Sequence, residues 1–509
     1  MIPLRRTLLR ALAPIAGLAL LASPAPATWS IVAVNTETGE VCVATATCLT
    51  DLDIQLAVPV IVVGQGAAAA QSFVSFVNKK RIYDGFLAGD TPAEILAFLE
   101  ANDGFHQGRQ YGIVDLFSPS ASFTGSFAGE AKEDFTGVAG PIKYSIQGNV
   151  LTGDEVTFAC ETALLSTAGD LGQKVMAAME AARALGGDGR CSCHVTQPTS
   201  CGVPPPSFDK SAHVASIQLA RIGDVDGPCT SAVGCSSGTY YLDLNVIGGF
   251  SDPEPIFELQ AMYDAWRAGK LGVPDHVLST VGASADRLPA DGQTQLAVEL
   301  DLADVDGVAL ASGGATVSVS SLAGPGLTTV GAVTDNGDGT YSFAVTAGTT
   351  AGTETLRIVV DDGGGPVTLQ PDLTVELDPA ASFHAGFDEV AASADIDVPL
   401  VVDLGGALAG APYVILASAA GTAPGFVLPG GALLPLNPDA FTSFTFLHPG
   451  PPLLPGSTGL LDGGGRALAA FVAPAGALTS AVGLRLDWAA ATLSAPFSSS
   501  VADGFDVLP

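Results

Sequence analysis

The sequence predicts a multidomain protein: an α+β domain built as a layered α-β-β-α sandwich, followed by two all-β domains. The chain has 509 residues, too many for one hydrophobic core, because domains usually hold ~100–200 residues. In the first half, predicted helices come in pairs between groups of strands, whereas a doubly wound parallel sheet would alternate single helices with single strands. From residue 278 onward the apolar residues show no helical periodicity.

An export signal is predicted over residues 1–27. Three arginines lie within its first ten residues, residues 8–21 are apolar, and Ala25-Pro26-Ala27 offers the small side chains that signal peptidases accept. We expect cleavage after Ala27 and a secreted, periplasmic or cell-surface protein. The paired arginines leave open whether export follows the general or the twin-arginine route.

Charge and hydropathy exclude two classes of partner. A formal net charge of −32 repels nucleic acid and anionic membranes, so we expect neither as a partner. No later segment reaches the ~20 uninterrupted apolar residues of a membrane span. We find no Walker or dinucleotide-binding loop, and we expect no cofactor.

The eight cysteines all lie between Cys42 and Cys235 and allow two interpretations. An even number in an exported chain predicts disulfides of undetermined pairing. Alternatively, Cys191-Ser192-Cys193-His194 brings together three potential zinc ligands, although the spacing is not C-x-x-C. We favour disulfides and expect no metal, and the scattered histidines form no Ser-His-Asp or metal-binding pattern.

The first domain is expected over residues 28–269. Strands are predicted at 29–34, 41–46, 56–63, 111–116, 122–126, 142–146, 214–220 and 240–246. Helices are predicted at 70–87, after Thr91, after Thr152, from Asp170 to Gly186, and at 255–268. Thr91 and Thr152 each begin a capping-box pattern, with a glutamate three residues later that can bond back to the cap amide.

Cleavage after Ala27 would make Thr28 the N-terminal residue. A threonine hydroxyl needs a base, and a free α-amine of pKa ~7.7–8.0 is partly neutral near neutral pH and sits on the same residue. Processing would therefore create nucleophile and base together. This predicts hydrolysis of an amide or peptide-like substrate through an acyl-enzyme on Thr28. The alternative is that threonine heads the mature chain by chance.

Four further residues of the same domain are candidates for a catalytic or a structural role. Asn149 could bring an amide near a developing oxyanion, although a Gly-Asn turn explains it as well. Asp115 ends an apolar strand and could orient the amine, or form a turn. We expect Asp188 and Arg190 to form a loop ion pair or a helix cap.

The stretch Thr28-Trp29-Ser30-Ile31-Val32-Ala33 resembles the start of the family called domain of unknown function 1028. Later matches include Arg109 to Asp115, which resembles the family's Arg-Gln-Val-Gly-Val-Val-Asp, and Gly186-Gly187-Asp188-Gly189-Arg190. The resemblance covers about residues 28–269 and implies the fold of the N-terminal-nucleophile (Ntn) hydrolases. One departure is Cys48, where members often carry a lysine that lowers the pKa of the nucleophile.

A linker is expected at residues 270–277, an immunoglobulin-like (Ig-like) domain at 278–378 and a β-rich domain at 379–509. Leu288-Pro289-Ala290-Asp291-Gly292 and the turn at 335–339 resemble invasin/intimin-type bacterial Ig-like repeats, which implies spacer or adhesion roles. The alternative function is therefore a non-catalytic binding or structural protein associated with the cell surface. Four aspartates could be either calcium ligands or turn-forming residues, and we favour turns because no full calcium-loop spacing is present. These are Asp304, Asp306, Asp335 and Asp338.

Overall fold

The computed structural model describes residues 28–322 and 326–509. The expected export signal lies outside the described residues. The chain divides into two compact units, the first ending at Tyr263 and the second running from Asp264 to Pro509.

Unit 1 contains ten strands and the helices that connect them. The strands are β1 (Thr28–Asn35), β2 (Glu40–Thr47), β3 (Pro59–Val62), β4 (Gly66–Ser72), β5 (Arg109–Asp115), β6 (Ala121–Thr124), β7 (Glu133–Ala139), β8 (Ile142–Asn149), β9 (Val214–Ala220) and β10 (Leu242–Ile247). The helices are α1 (Ile54–Ala57), α2 (Phe76–Ala88), α3 (Pro92–Asn102), α4 (Glu155–Ser166), α5 (Leu171–Ala184), α6 (Gly189–Ser192) and α7 (Pro255–Ala268), which crosses the unit boundary.

These strands form two antiparallel sheets. The first has the order β10-β9-β2-β1-β8-β7 and the second the order β3-β4-β5-β6. Helices α4 and α5 pack on the first sheet, α2 and α3 pack on the second, and β1, β2 and β8 face β4 and β5. Valines and alanines fill the space between the sheets: Val32, Val34, Val41, Val43, Ala67, Ala69 and Val114.

The helix predicted from residue 70 begins six residues later, and this prediction is wrong at its start. The alanines at 67–70 form part of strand β4, which is buried throughout, and α2 starts at Phe76 after the cap Ser75. Alanine favours helices, but propensity is a weak preference. Here β4 lies in the middle of its sheet, between β3 and β5, where tertiary packing decides.

Other local predictions have mixed outcomes. The capping box at Thr91 is present, and Asp170 caps α5 in the same way with Gln173. The capping box predicted at Thr152 is wrong, because α4 starts at Glu155 and the Thr152 hydroxyl donates to Leu185 O at 2.8 Å. Strand β7 was not predicted, and residues 56–57 of the third predicted strand (56–63) belong to helix α1.

Unit 2 is strand-rich, as expected, and has two large hydrophobic cores and a smaller cluster around Val414, Leu416 and Leu434. The first is enclosed by β11 (Thr280–Ala283), β12 (Arg287–Pro289), β13 (Gln295–Asp301), β14 (Thr316–Ser321), β15 (Thr328–Val330), β16 (Thr334–Asp335), β17 (Thr340–Ala347), β18 (Gly352–Asp361), β19 (Pro366–Thr368) and β20 (Leu373–Asp378). They form two facing sheets, β11-β13-β17-β15 and β12-β20-β18-β14, with β16 and β19 at their sides.

The second core lies among the remaining elements. These are β21 (Phe383–Ala385), β22 (Glu389–Ala391), β23 (Ile396–Asp403), β24 (Pro412–Ser418), β25 (Phe426–Val427), β26 (Leu433–Leu434), α8 (Ala440–Leu447), β27 (Thr458–Leu460), β28 (Arg466–Ala473), β29 (Arg485–Thr492) and β30 (Asp503–Leu508). The sheets β21-β23-β28 and β22-β30-β29-β24-β27 enclose the core, and α8 packs on β24.

Three of the four aspartates weighed as calcium ligands form turns, and the fourth, Asp306, pairs with Arg267 at 2.8 Å. The Asp304 carboxylate accepts hydrogen bonds from the backbone amides of Gly272, Asp306 and Val308, each at 3.0 Å. Asp335 likewise accepts from two backbone amides, and Asp338 from Thr340. Among helices within the described ranges, none has the length and hydropathy needed to cross a membrane.

Candidate functional site

The space between the two sheets of unit 1 is apolar at one end and polar at the other. Alternate residues of a strand share a face, so the side chains that continue the valine rows point into the same space. On β1 the row Val34, Val32 continues with Ser30 and Thr28. The corresponding rows on the neighbouring strands β2 and β8 and on the facing strands β4 and β5 also end in buried polar side chains: Thr45, Thr47, Gln71, Gln110, Ser145, Gln147 and Asn149. We call this group the polar end.

Gln71 connects both sheets at the polar end. Its Nε2 donates to the backbone carbonyl of Thr28 at 2.9 Å and to Gln110 Oε1 at 2.8 Å. Its Oε1 accepts from the hydroxyl of Ser30, which also lies 2.8 Å from Thr45 Oγ1. The end of β1 is therefore anchored to the opposite sheet by a side chain with both halves of its amide engaged.

Gln110 continues this network. Its Nε2 lies 2.8 Å from Thr124 Oγ1, 2.8 Å from Gly148 O and 3.1 Å from Glu133 O. Buried amides with several partners make networks in which each bond depends on the others. The two glutamines thus fix β1 and β8 relative to each other at the polar end.

The structure brings together two of the three residues proposed from the sequence, Thr28 and Asn149. They are partners in the β1–β8 register, which places their Cα atoms ~4.5–5.5 Å apart. Thr28 is 4% exposed and Asn149 is fully buried. Asn149 is the last residue of β8, and its Nδ2 donates to Ala128 O at 2.9 Å.

Asp115 lies at the opposite end of β5. It pairs with Gly66, whereas Gln110, five residues earlier, lies at the polar end. Five strand residues span ~17 Å, so the Asp115 carboxylate is remote from Thr28. Its Oδ1 accepts hydrogen bonds from the amides of Phe117 and Ser118, which is the geometry of a turn.

Strained backbone borders the polar end. Of the four non-glycine residues with positive φ in the described ranges, three lie here: Ser72 at 66°, Ala131 at 43° and Val150 at 56°. Ser72 follows Gln71, Val150 follows Asn149, and the amide of Leu151 donates to Ala131 O. A β-branched residue such as Val150 rarely adopts this conformation, and such strain clusters at functional sites.

A buried ion pair lies beside the Thr28 position. Asp188 is fully buried and caps α6, and its carboxylate accepts from Arg190 Nη2 at 2.8 Å and from the amide of Cys48 at 2.7 Å. The same Arg190 nitrogen lies 3.4 Å from Thr47 Oγ1. Thr47 follows Ala46, the partner of Trp29, and so occupies the position across from Thr28.

This confirms the expected pairing of Asp188 with Arg190 and shows its position beside Thr28, which the sequence did not reveal. The Asp188–Arg190 pair lies at the end of β2, where the Asp188 carboxylate also accepts from the amide of Cys48. The link depends on a disulfide between Cys48 and Cys191, two residues separated by 143 positions. Only the pairing of these two cysteines could have shown from the sequence that Arg190 lies beside Thr28.

Six of the eight cysteines confirm the disulfide interpretation, whereas Cys42 and Cys160 are buried free thiols. Three bridges join Cys48 to Cys191, Cys193 to Cys201 and Cys229 to Cys235. Because Cys191 and Cys193 are both oxidised, they offer no thiolate, and the zinc alternative at 191–194 is wrong. His213 lies near the Cys48–Cys191 sulfurs, and the same argument excludes a metal there.

Residues 28–197 match the model of a family of unknown function, DUF1028, and residues 275–376 match invasin domain 3. Both resemblances seen in the sequence are thereby confirmed. No curated protein matches the chain.

Solved structures of both kinds resemble the chain. A DUF1028 protein from Silicibacter pomeroyi is 20% identical, with 47% of this chain and 88% of that chain covered and a TM-score of 0.34. Invasin, titled a bacterial integrin-binding protein, is 15% identical, with 59% and 46% covered and a TM-score of 0.17. The Yersinia pseudotuberculosis adhesin InvE is 20% identical, with 45% and 58% covered and a TM-score of 0.17.

Proposed function

We propose that unit 1 is an α-β-β-α sandwich of the Ntn-hydrolase type and an exported amidohydrolase, with Thr28 as nucleophile and its α-amine as base. One observation carries the proposal. Thr28 heads β1 at the polar end of the inter-sheet space, with its carbonyl held by Gln71 and Asn149 directly across from it. The domain limits 28–269, 278–378 and 379–509 are part of the same proposal.

The reaction follows from this arrangement. After cleavage behind Ala27, the Thr28 amine takes the hydroxyl proton while Oγ attacks the carbonyl carbon of the amide. Oγ forms the new bond, and the negative charge collects on the carbonyl oxygen. When the intermediate collapses, the C–N bond breaks and the proton passes to the leaving amine. Water, deprotonated by the same amine, then hydrolyses the ester on Thr28.

Two neighbouring side chains support these steps. The Asn149 amide is the donor nearest in register to Thr28, and a donor at this place stabilises the developing oxyanion. The Arg190 guanidinium, beside Thr47, disfavours protonation of a nearby amine and helps to keep it neutral as a base. Arg190 would thus take the role of the lysine that Cys48 replaces.

The second candidate is a non-catalytic binding protein of the cell surface. The match of residues 275–376 to invasin domain 3 favours it, because that family belongs to adhesins. The three disulfides fit an extracellular or surface location for either candidate, since disulfides persist in oxidising compartments.

The experiment compares the mature protein with Thr28→Ala and Thr28→Ser on a panel of N-acyl amides, with amine release as the readout. We expect hydrolysis that Thr28→Ala abolishes and Thr28→Ser partly retains, because serine keeps a hydroxyl. Thr28→Ala should change the free energy of unfolding by no more than about 1 kcal/mol. Equal hydrolysis by wild type and Thr28→Ala would refute the role of Thr28, and no hydrolysis at all would favour the binding protein.

A further inference from the structure

The sheet β22-β30-β29-β24-β27 of unit 2 is apolar on both faces. An antiparallel sheet with one face in water alternates apolar and polar side chains along each strand. On β24, however, Ile415 joins the second core of unit 2, while its neighbours Val414 and Leu416 are buried on the opposite face. Ala489 and Ala491 of β29 continue this opposite, outer face. The outer face therefore requires an apolar cover of its own.

Two elements cover the outer face, and they leave a space between them. The hairpin β25-β26 packs on it through Leu434, and α8 packs against β24. Between them lies a cavity of about 500 Å³, within the ~300–1,000 Å³ of small-molecule sites. Ala491 of β29 lines this space, and its small side chain does not fill it. We call this space the apolar cavity.

The apolar cavity has a buried floor and an open mouth. The buried side chains of Val414, Leu416 and Ala491 form the floor. Phe446 of α8 and Leu493, the residue after β29, also line the cavity but are 57% and 52% exposed. Because the lining passes from buried to exposed side chains, a ligand can enter from solvent and reach the floor. Exposed apolar side chains around a cavity are typical of ligand-binding grooves.

Hydroxyls are the polar side-chain groups of the described lining, and the fold already uses each of them. Thr442 Oγ1 donates to Asp439 Oδ1 at 3.0 Å, and Ser443 Oγ donates to Asp439 O at 3.0 Å. Thr492 Oγ1 donates to Pro496 O at 3.1 Å. A ligand inside the cavity is therefore held by apolar contact rather than by hydrogen bonds to these side chains.

Charge restricts the ligand to a neutral molecule. Among the described residues that line the cavity, none carries a charged side chain, so an ion would be buried there without a partner. Residues 379–509 contain two arginines and no lysine. Arg466 pairs with Asp291, and Arg485 lies 3.3 Å from Asp487. With a formal net charge of −32 on the chain, a carboxylate or phosphate at the mouth would be repelled.

We propose that the apolar cavity binds the alkyl chain of a neutral lipid of the monoacylglycerol type. A flexible chain without polar groups can follow the floor between the rings of Phe426 in the hairpin and Phe446 in α8. The glycerol head group remains in water at the mouth, beside Phe446 and Leu493. The site is independent of Thr28, so it stands whether or not unit 1 is an enzyme.

Chain length should control the affinity, because apolar contact is then the main attraction. Each additional methylene that leaves water for the cavity gains about 0.8 kcal/mol, which tightens binding about fourfold. Monodecanoylglycerol has two methylenes more than monooctanoylglycerol and should therefore bind about fifteenfold more tightly. Decanoate, which has the same chain length but carries a carboxylate, should bind more weakly than monodecanoylglycerol.

The test is a displacement titration of the full mature chain loaded with the neutral fluorescent probe N-phenyl-1-naphthylamine. Monooctanoylglycerol, monodecanoylglycerol and decanoate are each added below the concentration at which they aggregate. We expect saturable displacement of the probe by both monoacylglycerols, with the dependence on chain length and head group given above.

Phe446→Gln and Leu493→Gln should each weaken the binding of monodecanoylglycerol about tenfold, because each removes apolar contact at the mouth. Both side chains are exposed, so both variants should fold, which circular dichroism checks. Leu447→Gln is the matched control, because Leu447 is the next residue of α8, is 69% exposed and lies outside the cavity lining. This variant should bind as wild type does.

Three results would overturn the proposal. The first is no saturable binding of either monoacylglycerol. The second is equal affinity for the two monoacylglycerols, or tighter binding of decanoate, either of which would place recognition at the head group. The third is binding that both Phe446→Gln and Leu493→Gln leave unchanged, or that Leu447→Gln weakens equally, since the site would then lie elsewhere on the chain.

Discussion

Thr28 and Asn149 lie directly opposite each other at the ends of β1 and β8, where the apolar space between two sheets becomes polar. Gln71 reaches across from the other sheet to the Thr28 carbonyl. The hydrogen bonds that hold these strand ends are therefore internal to unit 1 and do not depend on the expected catalytic step. This separation allows stability and activity to be tested by different substitutions.

Gln110→Leu should destabilise unit 1 by about 2–4 kcal/mol, because it leaves the buried Gly148 carbonyl without this donor and the buried Gln71 amide without this acceptor. Urea unfolding monitored on unit 1 measures the change. Gln197→Leu, at an exposed glutamine, is the control and should stay within about 0.5 kcal/mol of wild type. A similar small effect for Gln110→Leu would mean that the network adds little to stability.

Asp188→Ala should cost about 3–5 kcal/mol, since it removes the carboxylate that pairs with the largely buried Arg190 guanidinium and also removes the cap of α6. Asp209→Ala, at an exposed aspartate, provides the comparison. Denaturant titration of both variants gives the difference. If Asp188→Ala unfolds at the same urea concentration as Asp209→Ala, the ion pair does not hold this part of the fold together.

Removal of the Cys48–Cys191 bridge should destabilise unit 1 more than removal of the Cys193–Cys201 bridge. Loop-closure entropy gives about 5 kcal/mol for a loop of 143 residues and about 2.5 kcal/mol for one of 8. Paired Cys→Ser variants, compared by calorimetry, test this order. The transition of unit 2 should not move in either variant, because no cysteine follows Cys235, and an equal shift of both units would contradict the assignment.

Lys79 should make the stability of unit 1 depend on pH. Burial lowers the pKa of this lysine to about 7, while the Asp53 carboxylate opposes the effect. Because the unfolded chain holds the proton up to about pH 10.4, stability rises between about pH 7 and pH 10 and is lowest below pH 7. Lys79→Met removes this penalty, so its advantage over wild type should shrink as the pH rises.

Urea midpoints at about pH 6 and about pH 10 measure that advantage. Lys80→Met is the matched control, because the Lys80 side chain is 42% exposed whereas Lys79 is only 1% exposed. A constant difference between Lys79→Met and wild type at both pH values would show that the amine titrates normally in the folded protein.

The sequence predicted β1 and β2 as β-like runs joined by a turn. Every second residue of these runs belongs to a valine row, and the two rows end in the hydroxyl side chains of Thr28 and Thr47, which mark the polar end. Gln71 and Gln110 were not proposed as site residues, since neither lies in a recognisable catalytic motif. Only the pairing of β4 with β5 shows that the two side chains lie next to each other.

Other features depend on contacts that local patterns do not encode. The alanines of β4 favour a helix locally but lie in the middle of a sheet, and Arg190 reaches the Thr28 position only through a bridge between cysteines 143 residues apart. The role considered for Asp115 rested on its place at the end of a strand. Only the sheet register shows that this end of β5 lies opposite to the polar end, where Gln110 lies.

N-terminal sequencing of the exported protein, together with its intact mass, tests the central claim most directly. The account predicts a chain that starts at Thr28 with an unblocked α-amine, because nucleophile and base are then present on one residue. A chain that starts at any other residue, or a blocked Thr28, would remove both groups and contradict the proposed amidohydrolase.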